Sequence, residues 1–474
     1  MRTHPQRGSL VPWRLWPALA ALGVVPAFAQ EPPASLLTQQ RQIDDRLQQE
    51  RLERAPLSET LDWQYGGWID YFSFMIDDGI QSQRLYQRPG VALWSRVRLD
   101  DGAHELFARV RLRYNYYNPG DEYERQRDWE GPDFDRAWYQ VDLGRALRLT
   151  RPSDWLQMKV RLGRQEVLFG TGFVLDQPLD AAWLETTLGD WRVDGLFGRS
   201  PQSYLNVDRS TPVASHSSRR FFGVQVAYTG IERHEPFAYA IWNDDATDET
   251  PRDRFQNYAY DTQYFGFGSR GQVVPRLQYW AEAVFETGRS YGDGAFLSRD
   301  YVQAYGWDVG LEYQFPGPLR KRLMLEYMFG SGDPDRIFNA TGAAGGNRGG
   351  GKDSSLVTFG FRDTGMAAAL APSNLHIWKA GGSLTPLESV RPFEQLEVGS
   401  NWFLYHKHHA RAAISDSTAD EFAGYVGWEM DYFINWRFAS DVSWTIRWGL
   451  FFPGDAYSDQ GTRNFLFSGI TWSF

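Results

Sequence analysis

The sequence predicts an all-β fold, an antiparallel transmembrane β-barrel of about 18 strands with short periplasmic turns and long extracellular loops. Three observations carry this. The chain closes on RNFLFSGITWSF, Arg463 to Phe474, in which Leu466, Ser468, Ile470, Trp472 and Phe474 share one face at the two-residue strand period. Aromatic residues make up 16% of the chain and there are 46 glycines, yet the mean hydropathy is −0.50. That mixture suits an apolar outer surface around a polar lumen and polar loops. Strand-like segments then recur from residue 62 to the end, joined alternately by short turns and long loops.

The N-terminus reads as an export signal over residues 1–29. Arg2, Arg7 and Arg14 form a basic region, Leu15 to Val25 an apolar core, and Ala27-Phe28-Ala29 a small-residue cleavage site. Residues 30–61 form a periplasmic leader, partly helical or disordered. Leu36, Ile43 and Leu47 fall on one helical stripe, and Pro56 would end the helix. As a helix it would suit docking to a periplasmic secretion partner. The barrel occupies 62–474. No stretch approaches the roughly 20 apolar residues of a membrane helix, so a membrane-spanning chain of this kind must cross with strands that pair all their backbone groups. Cysteine is absent, which excludes disulfides, thiolate nucleophiles and Cys-ligated metals. A net charge of −10 argues against nucleic acid as a partner.

The strands are expected near 63–76, 90–99, 104–117, 134–147, 156–165, 181–187, 191–200, 219–229, 236–243, 257–267, 276–288, 302–314, 322–330, 374–384, 392–406, 424–438, 442–452 and 463–474. Most have the ~10 residues a tilted strand needs to cross a bilayer. Asp100-Asp101-Gly102-Ala103, Leu188-Gly189-Asp190 and Ala439-Ser440-Asp441 read as tight turns on one side. Longer polar loops lie between them, the longest at 331–373. An even strand number puts both ends of the barrel on the periplasmic side. To keep it even, Leu356 to Phe361 (LVTFGF) is placed inside the long loop despite its strand-like pattern.

Alternation assigns faces. Leu106, Ala108, Val110 and Leu112 point to lipid, so Phe107, Arg109, Arg111 and Arg113 point inward. By the same rule Arg96, Arg98, Arg136, Lys159, Arg161 and Arg447 point inward. A charge on the lipid face near the midplane costs ~2–4 kcal/mol, which is the physical warrant. Strands eleven to thirteen contribute Glu282, Glu286, Asp308, Glu312 and Glu326, and strand sixteen Glu429 and Asp431. The basic wall would concentrate anions. Opposed charges pairing across the lumen would instead rigidify the barrel, and both readings stay open. The first strand, apolar on both faces around Trp68, Asp70 and Phe72, leaves its lipid side unassigned.

Several stretches together carry a family resemblance. Gly163-Arg164-Gln165 is followed by a loop with Asp176 and by VDGLFGR, Val193 to Arg199. Gly330-Ser331-Gly332, Ser373-Asn374-Leu375 and RWGLFFPGDAY, Arg447 to Tyr457, follow in order. In this order they resemble the alginate export family of bacterial outer-membrane channels. The resemblance implies an 18-stranded barrel in the outer membrane that lets an anionic polysaccharide diffuse out through an arginine-lined constriction. It places Arg161 or Arg164, and Arg447, at basic pore positions, and needs no cofactor. The chain departs from the family pattern at Thr445, at Phe329, at the tight turn Ala439 to Asp441, and at Met366-Ala367-Ala368-Ala369. Barrel and channel therefore carry over further than alginate itself.

Other motif-like stretches lead elsewhere. GNRGGGKD, Gly346 to Asp353, lacks the Ser/Thr of a phosphate loop. His406, His408 and His409 lack a metal-binding frame. Asp333 and Asp335 lack the calcium-loop pattern. Eight histidines, most in loops, assemble no nucleophile–base group, so an outer-membrane enzyme is the weaker reading. The rival within the channel class is a porin, general or specific for another solute, and not dedicated to polysaccharide.

Overall fold

The computed structural model describes residues 61–79, 83–117, 128–147, 156–201, 218–246, 260–291, 299–336, 347 and 351–474. The expected signal segment, and the leader up to residue 60, lie outside them. Among the described residues, eighteen strands form one closed antiparallel sheet. They are β1 (Leu61–Asp77), β2 (Arg84–Leu99), β3 (His104–Tyr117), β4 (Asp128–Asp142), β5 (Leu156–Phe169), β6 (Leu175–Leu188), β7 (Trp191–Arg199), β8 (Arg219–Tyr228) and β9 (His234–Asp245). The second half holds β10 (Asp261–Val274), β11 (Leu277–Tyr291), β12 (Arg299–Gln314), β13 (Arg322–Gly330), β14 (Leu375–Leu384), β15 (Leu396–Lys407), β16 (Tyr425–Arg437), β17 (Val442–Pro453) and β18 (Arg463–Ser473). A two-residue strand, Lys352–Asp353, lies parallel on β12 without entering the wall.

Closure happens between β18 and β1, in register from Trp68 opposite Ser473 to Asp77 opposite Asn464. The backbone N–H of Phe474 donates to the Gly67 carbonyl at 2.9 Å, and the Gly67 N–H donates to the Phe474 carbonyl at 3.0 Å. The last residue thus completes the ladder, and no edge is left to pair with another chain. The seam is narrow. A Cβ on Gly67 would sit 2.5 Å from the Ala92 carbonyl oxygen and 2.9 Å from the Phe474 ring.

Side-chain exposure follows the two-residue period. Trp63, Tyr65, Ile69 and Tyr71 are exposed on β1, whereas Trp68, Asp70, Phe72 and Phe74 are buried inside. This assigns the face that the sequence leaves open. On β18, Ile470, Trp472 and Phe474 are exposed and Phe465 and Phe467 buried. Large apolar side chains on the outside with charges inside are the inverse of a soluble protein and match a barrel in lipid.

Many strands depart from their expected bounds, as β2 starts at Arg84 rather than near 90 and β10 ends at Val274 rather than near 267, and two differences have a local cause. β4 stops at Asp142 rather than near 147, because the Asp142 side chain accepts the Arg145 N–H and caps a one-turn helix, Leu143–Ala146. The stretch 166–180, between the expected fifth and sixth strands, is mostly strand. β5 runs to Phe169 and β6 starts at Leu175, paired continuously. Gly170 and Gly172, both at positive φ, make the turn.

We expect Gly67→Val to weaken closure by roughly 1–3 kcal/mol, the usual range for overpacking. The measurement is the temperature at which the purified barrel loses its compact migration on unheated gels. An unchanged transition would contradict the seam geometry.

Candidate pore lining

The lumen is built from inward-facing charges and from one segment that folds in among them. Residues 351–374, the described stretch that leads into β14, enter the barrel. Leu356, Val357, Phe359 and Met366 to Leu370 are all buried, in two apolar clusters with inward side chains of the wall. Phe359 also exchanges backbone hydrogen bonds with Val174 and Asp176 at the start of β6. The LVTFGF stretch therefore lies off the barrel wall and lines it from within.

Wall carboxylates hold this segment. Glu429 accepts the backbone N–H groups of Met366 at 2.5 Å, Ala367 at 2.6 Å and Ala368 at 2.8 Å. Glu286 accepts the Val357 N–H at 2.9 Å and the Tyr260 and Tyr264 hydroxyls. Asp308 pairs with Arg362 at 2.6 Å, and Arg362 also donates to the Thr171 carbonyl. Burial works against the charge of Arg362, but the carboxylates of Asp308, Glu326 and Glu282 together raise its pKa. Lys379 joins Asp363 of the segment at 2.7 Å to Glu326 of the wall at 3.3 Å. Each acid alternates with an exposed apolar residue on its strand, Glu286 with Phe285 and Asp308 with Val309, so all lie on the lumenal face. Thus Glu286, Asp308, Glu326 and Glu429 grip the segment. Glu312 instead meets Arg322 at 3.6 Å.

On the opposite wall most bases are paired locally. Asp135 takes Arg109 at 2.7 Å and Arg111 at 2.9 Å, with the Trp68 ring under both guanidiniums at 5.3 and 5.1 Å. Glu105 takes Arg96 at 2.5 Å and Arg98 at 3.1 Å. Glu130 takes Arg113 at 2.9 Å and Arg88 at 3.0 Å. Arg136 pairs with Glu166, and Lys159 with Glu185 at 3.5 Å. Dehydrated guanidiniums need such partners, since an uncompensated buried charge costs several kcal/mol.

Arg161 and Arg447 differ. Among the described residues neither has a carboxylate within ion-pair distance. Arg161 donates from Nε and Nη2 to the Gln140 amide oxygen, at 3.0 and 2.7 Å, and lies over the Trp138 ring at 4.4 Å. Arg447 donates to the Asn435 amide oxygen at 2.9 Å and lies over the Phe433 ring at 5.3 Å. The arrangement is the same on two walls: a guanidinium, a neutral amide on the neighbouring strand, and a ring two residues from that amide. An amide orients the cation without neutralising it. The polar partners Gln140 and Asn435 and the rings Trp94 and Trp138 did not stand out in the sequence. Their signal is positional, since each is in phase with an inward-facing residue.

Arg164 takes another place. It pairs with Asp180 at 2.7 and 3.0 Å, and that pair shares the row of the exposed Leu162 and Phe197. Arg164 is therefore set apart from the lumenal bases with which the sequence grouped it. In the loops, Asp333 accepts the Ser354 and Asp335 N–H groups. The His408 ring meets Phe329 and His376 edge-on and lies tilted against His409.

Comparison with known proteins places this geometry. A family model described as alginate export matches residues 78–470. No curated protein matches the chain significantly. Solved structures share the fold at low identity. OccK11 (OpdR) of Pseudomonas aeruginosa has a TM-score of 0.51 at 13% identity, covering 88% of this chain and 98% of its own. A BenF-like porin from Pseudomonas fluorescens Pf-5 has a TM-score of 0.53 at 11% identity, covering 87% and 98%. Pseudomonas aeruginosa OpdK, solved with vanillate, has a TM-score of 0.51 at 10% identity, covering 87% and 98%.

Glu429→Gln should loosen the inner segment, because hydrogen bonds to a charged group are worth about 1.5–3 kcal/mol against about 1 for neutral ones. We expect larger and noisier single-channel conductance in planar bilayers. Conductance identical in size and noise to that of the unsubstituted protein would show that Glu429 does not hold the segment in place.

Proposed function

This chain belongs to the alginate export family, and we propose that it is an outer-membrane channel for passive passage of an anionic exopolysaccharide or uronate-like solute. It acts as a channel rather than an enzyme. The observation that carries the reading is how the lumen's charges are used. Glu286, Asp308, Glu326 and Glu429 of β11, β12, β13 and β16 are spent on the inner segment, directly or through Lys379. The bases of β2 to β5 and β17 remain on the wall, and Arg161 and Arg447 are each held by an amide and an aromatic ring. In a low-dielectric pore two such cations attract carboxylates strongly. Arg96, Arg98, Arg109, Arg111, Arg113, Arg136 and Lys159 form the surrounding basic surface, their acids lowering its net charge. The leader, residues 30–61, would serve as the contact for periplasmic secretion partners.

A second reading, a porin for small organic anions, is favoured by one observation. Arg447 is 1% exposed, so a polymer reaches it only if the side chains around it move aside.

Reversal potentials in a salt gradient test the first reading. We expect anion selectivity, and a fall of roughly two- to fivefold in the anion-to-cation permeability ratio for Arg161→Gln and for Arg447→Gln. Polyuronate should reduce the current, and more so in Glu429→Gln. Cation selectivity, or indifference to polyuronate in both proteins, would sink the polysaccharide reading. Blockade by short acids alone would establish the second.

A further inference from the structure

Among the lumen-facing aromatic side chains outside both apolar clusters, which also include Trp68 and Phe433, three lie side by side. Trp94 on β2, Phe107 on β3 and Trp138 on β4 form a row across adjacent strands. Their ring centroids are 6.4 and 5.5 Å apart, and the planes are tilted by only 20° and 21°. Their direction follows from alternation. Trp94 succeeds Leu93, which is 54% exposed on the outer face, and Phe107 succeeds Leu106, at 46%. Trp138 is the register partner of Phe107 and lies beneath the Arg161 guanidinium.

Packing does not account for this row. All three rings are only partly buried, whereas the apolar side chains that pack the inner segment are almost fully buried. The backbone makes room for them. Gly66 on β1 faces the Trp94 indole, and a Cβ there would come within 2.9 Å of it. The rim of the row is polar. Arg161 and Gln140 close one end. Lys159, with its side chain 38% exposed, follows two residues before Arg161. Arg96 lies opposite Phe107 in register, held by Glu105.

From this arrangement we infer a binding subsite for a uronate ring laid flat on the Trp94–Phe107 part of the row, with Trp138 holding the Arg161 guanidinium at its end. The inference rests on the channel reading above. A pyranose presents a face of C–H groups that packs on an aromatic plane, which offers broad apolar contact and a negative face to those hydrogens. Its carboxylate then meets the guanidinium at the end of the row, where charge-assisted and bidentate hydrogen bonds are strongest. Arg161 gives two donors to Gln140 and is restrained by the Trp138 face, so it is oriented before the solute arrives. A polymer could step from ring to ring along such a row without any one contact trapping it, which conduction through several weak sites requires.

The test is the residence time of oligouronates in single channels, seen as current blockades. Phe107→Ala and Trp138→Ala should shorten residence roughly five- to tenfold, the effect of losing a specific aromatic contact together with its area. Trp138→Phe should restore most of it. Trp94→Ala is the variant farthest from Arg161, and it should shorten residence in the same direction. Residence times unchanged in all three alanine variants, while the unsubstituted channel is blocked, would overturn the row and leave the channel reading intact. If oligouronates fail to block the unsubstituted channel, both fall. Neutral hexose oligomers should block more briefly than oligouronates. Equal residence would remove the carboxylate's part, and blockade by benzoate but not by oligouronates would overturn the sugar assignment.

Discussion

Lipid offers no hydrogen bonds to the backbone, and the rest of the molecule depends on that constraint. Eighteen strands meet it by closing on themselves, and the closure is finished by the reciprocal pair between Gly67 and Phe474. A closed wall has only two faces. One must be apolar, so all the polarity of the strands is driven inside. The bare backbone at Gly66 and Gly67 follows from the same closure, since side chains there would strike the last residue.

Driving the charges inward creates a second problem, because a lumen this crowded cannot hydrate them all. The two walls solve it differently. Acids on β11, β12 and β16 take backbone N–H groups and Arg362 from the segment that enters the lumen. Bases on β2 to β5 take acids of their own wall, as Arg109 and Arg111 share Asp135. The segment therefore does two things at once. Its apolar residues fill the lumen, and its polar backbone removes the acidic wall from the solute's reach. Met366 to Leu370, all uncharged, suit this role because they share one buried cluster with Tyr405 and Phe451.

Within this arrangement Arg161 and Arg447 are the exceptions, held by amides and rings in place of acids. Pairing them with acids would cancel the field, and leaving them bare would cost several kcal/mol each. A neutral amide and an aromatic face satisfy part of the guanidinium while keeping its charge. The family match and the shared fold support an outer-membrane channel.

Much of the architecture was legible in the chain itself. Alternation along β3, β5 and β17 placed Arg109, Arg161 and Arg447 on the lumenal face, because a two-residue period with one lipid side allows no other arrangement. The even strand number put LVTFGF off the wall for a purely topological reason. Three things required the folded chain. The faces of β1 could not be read, since both rows of that strand are rich in aromatic residues. The partners of each base lie on other strands or far along the sequence, so nothing local distinguishes Arg161, beside Gln140, from Arg98, beside Glu105. The alternation that placed Arg161 inside also puts Arg164 on the other row, a three-residue offset that family resemblance alone does not resolve. The descent of residues 351–374 into the lumen was hidden most completely. Its apolar run means nothing by itself, and only the ring of acids closing around it from four strands shows where it belongs.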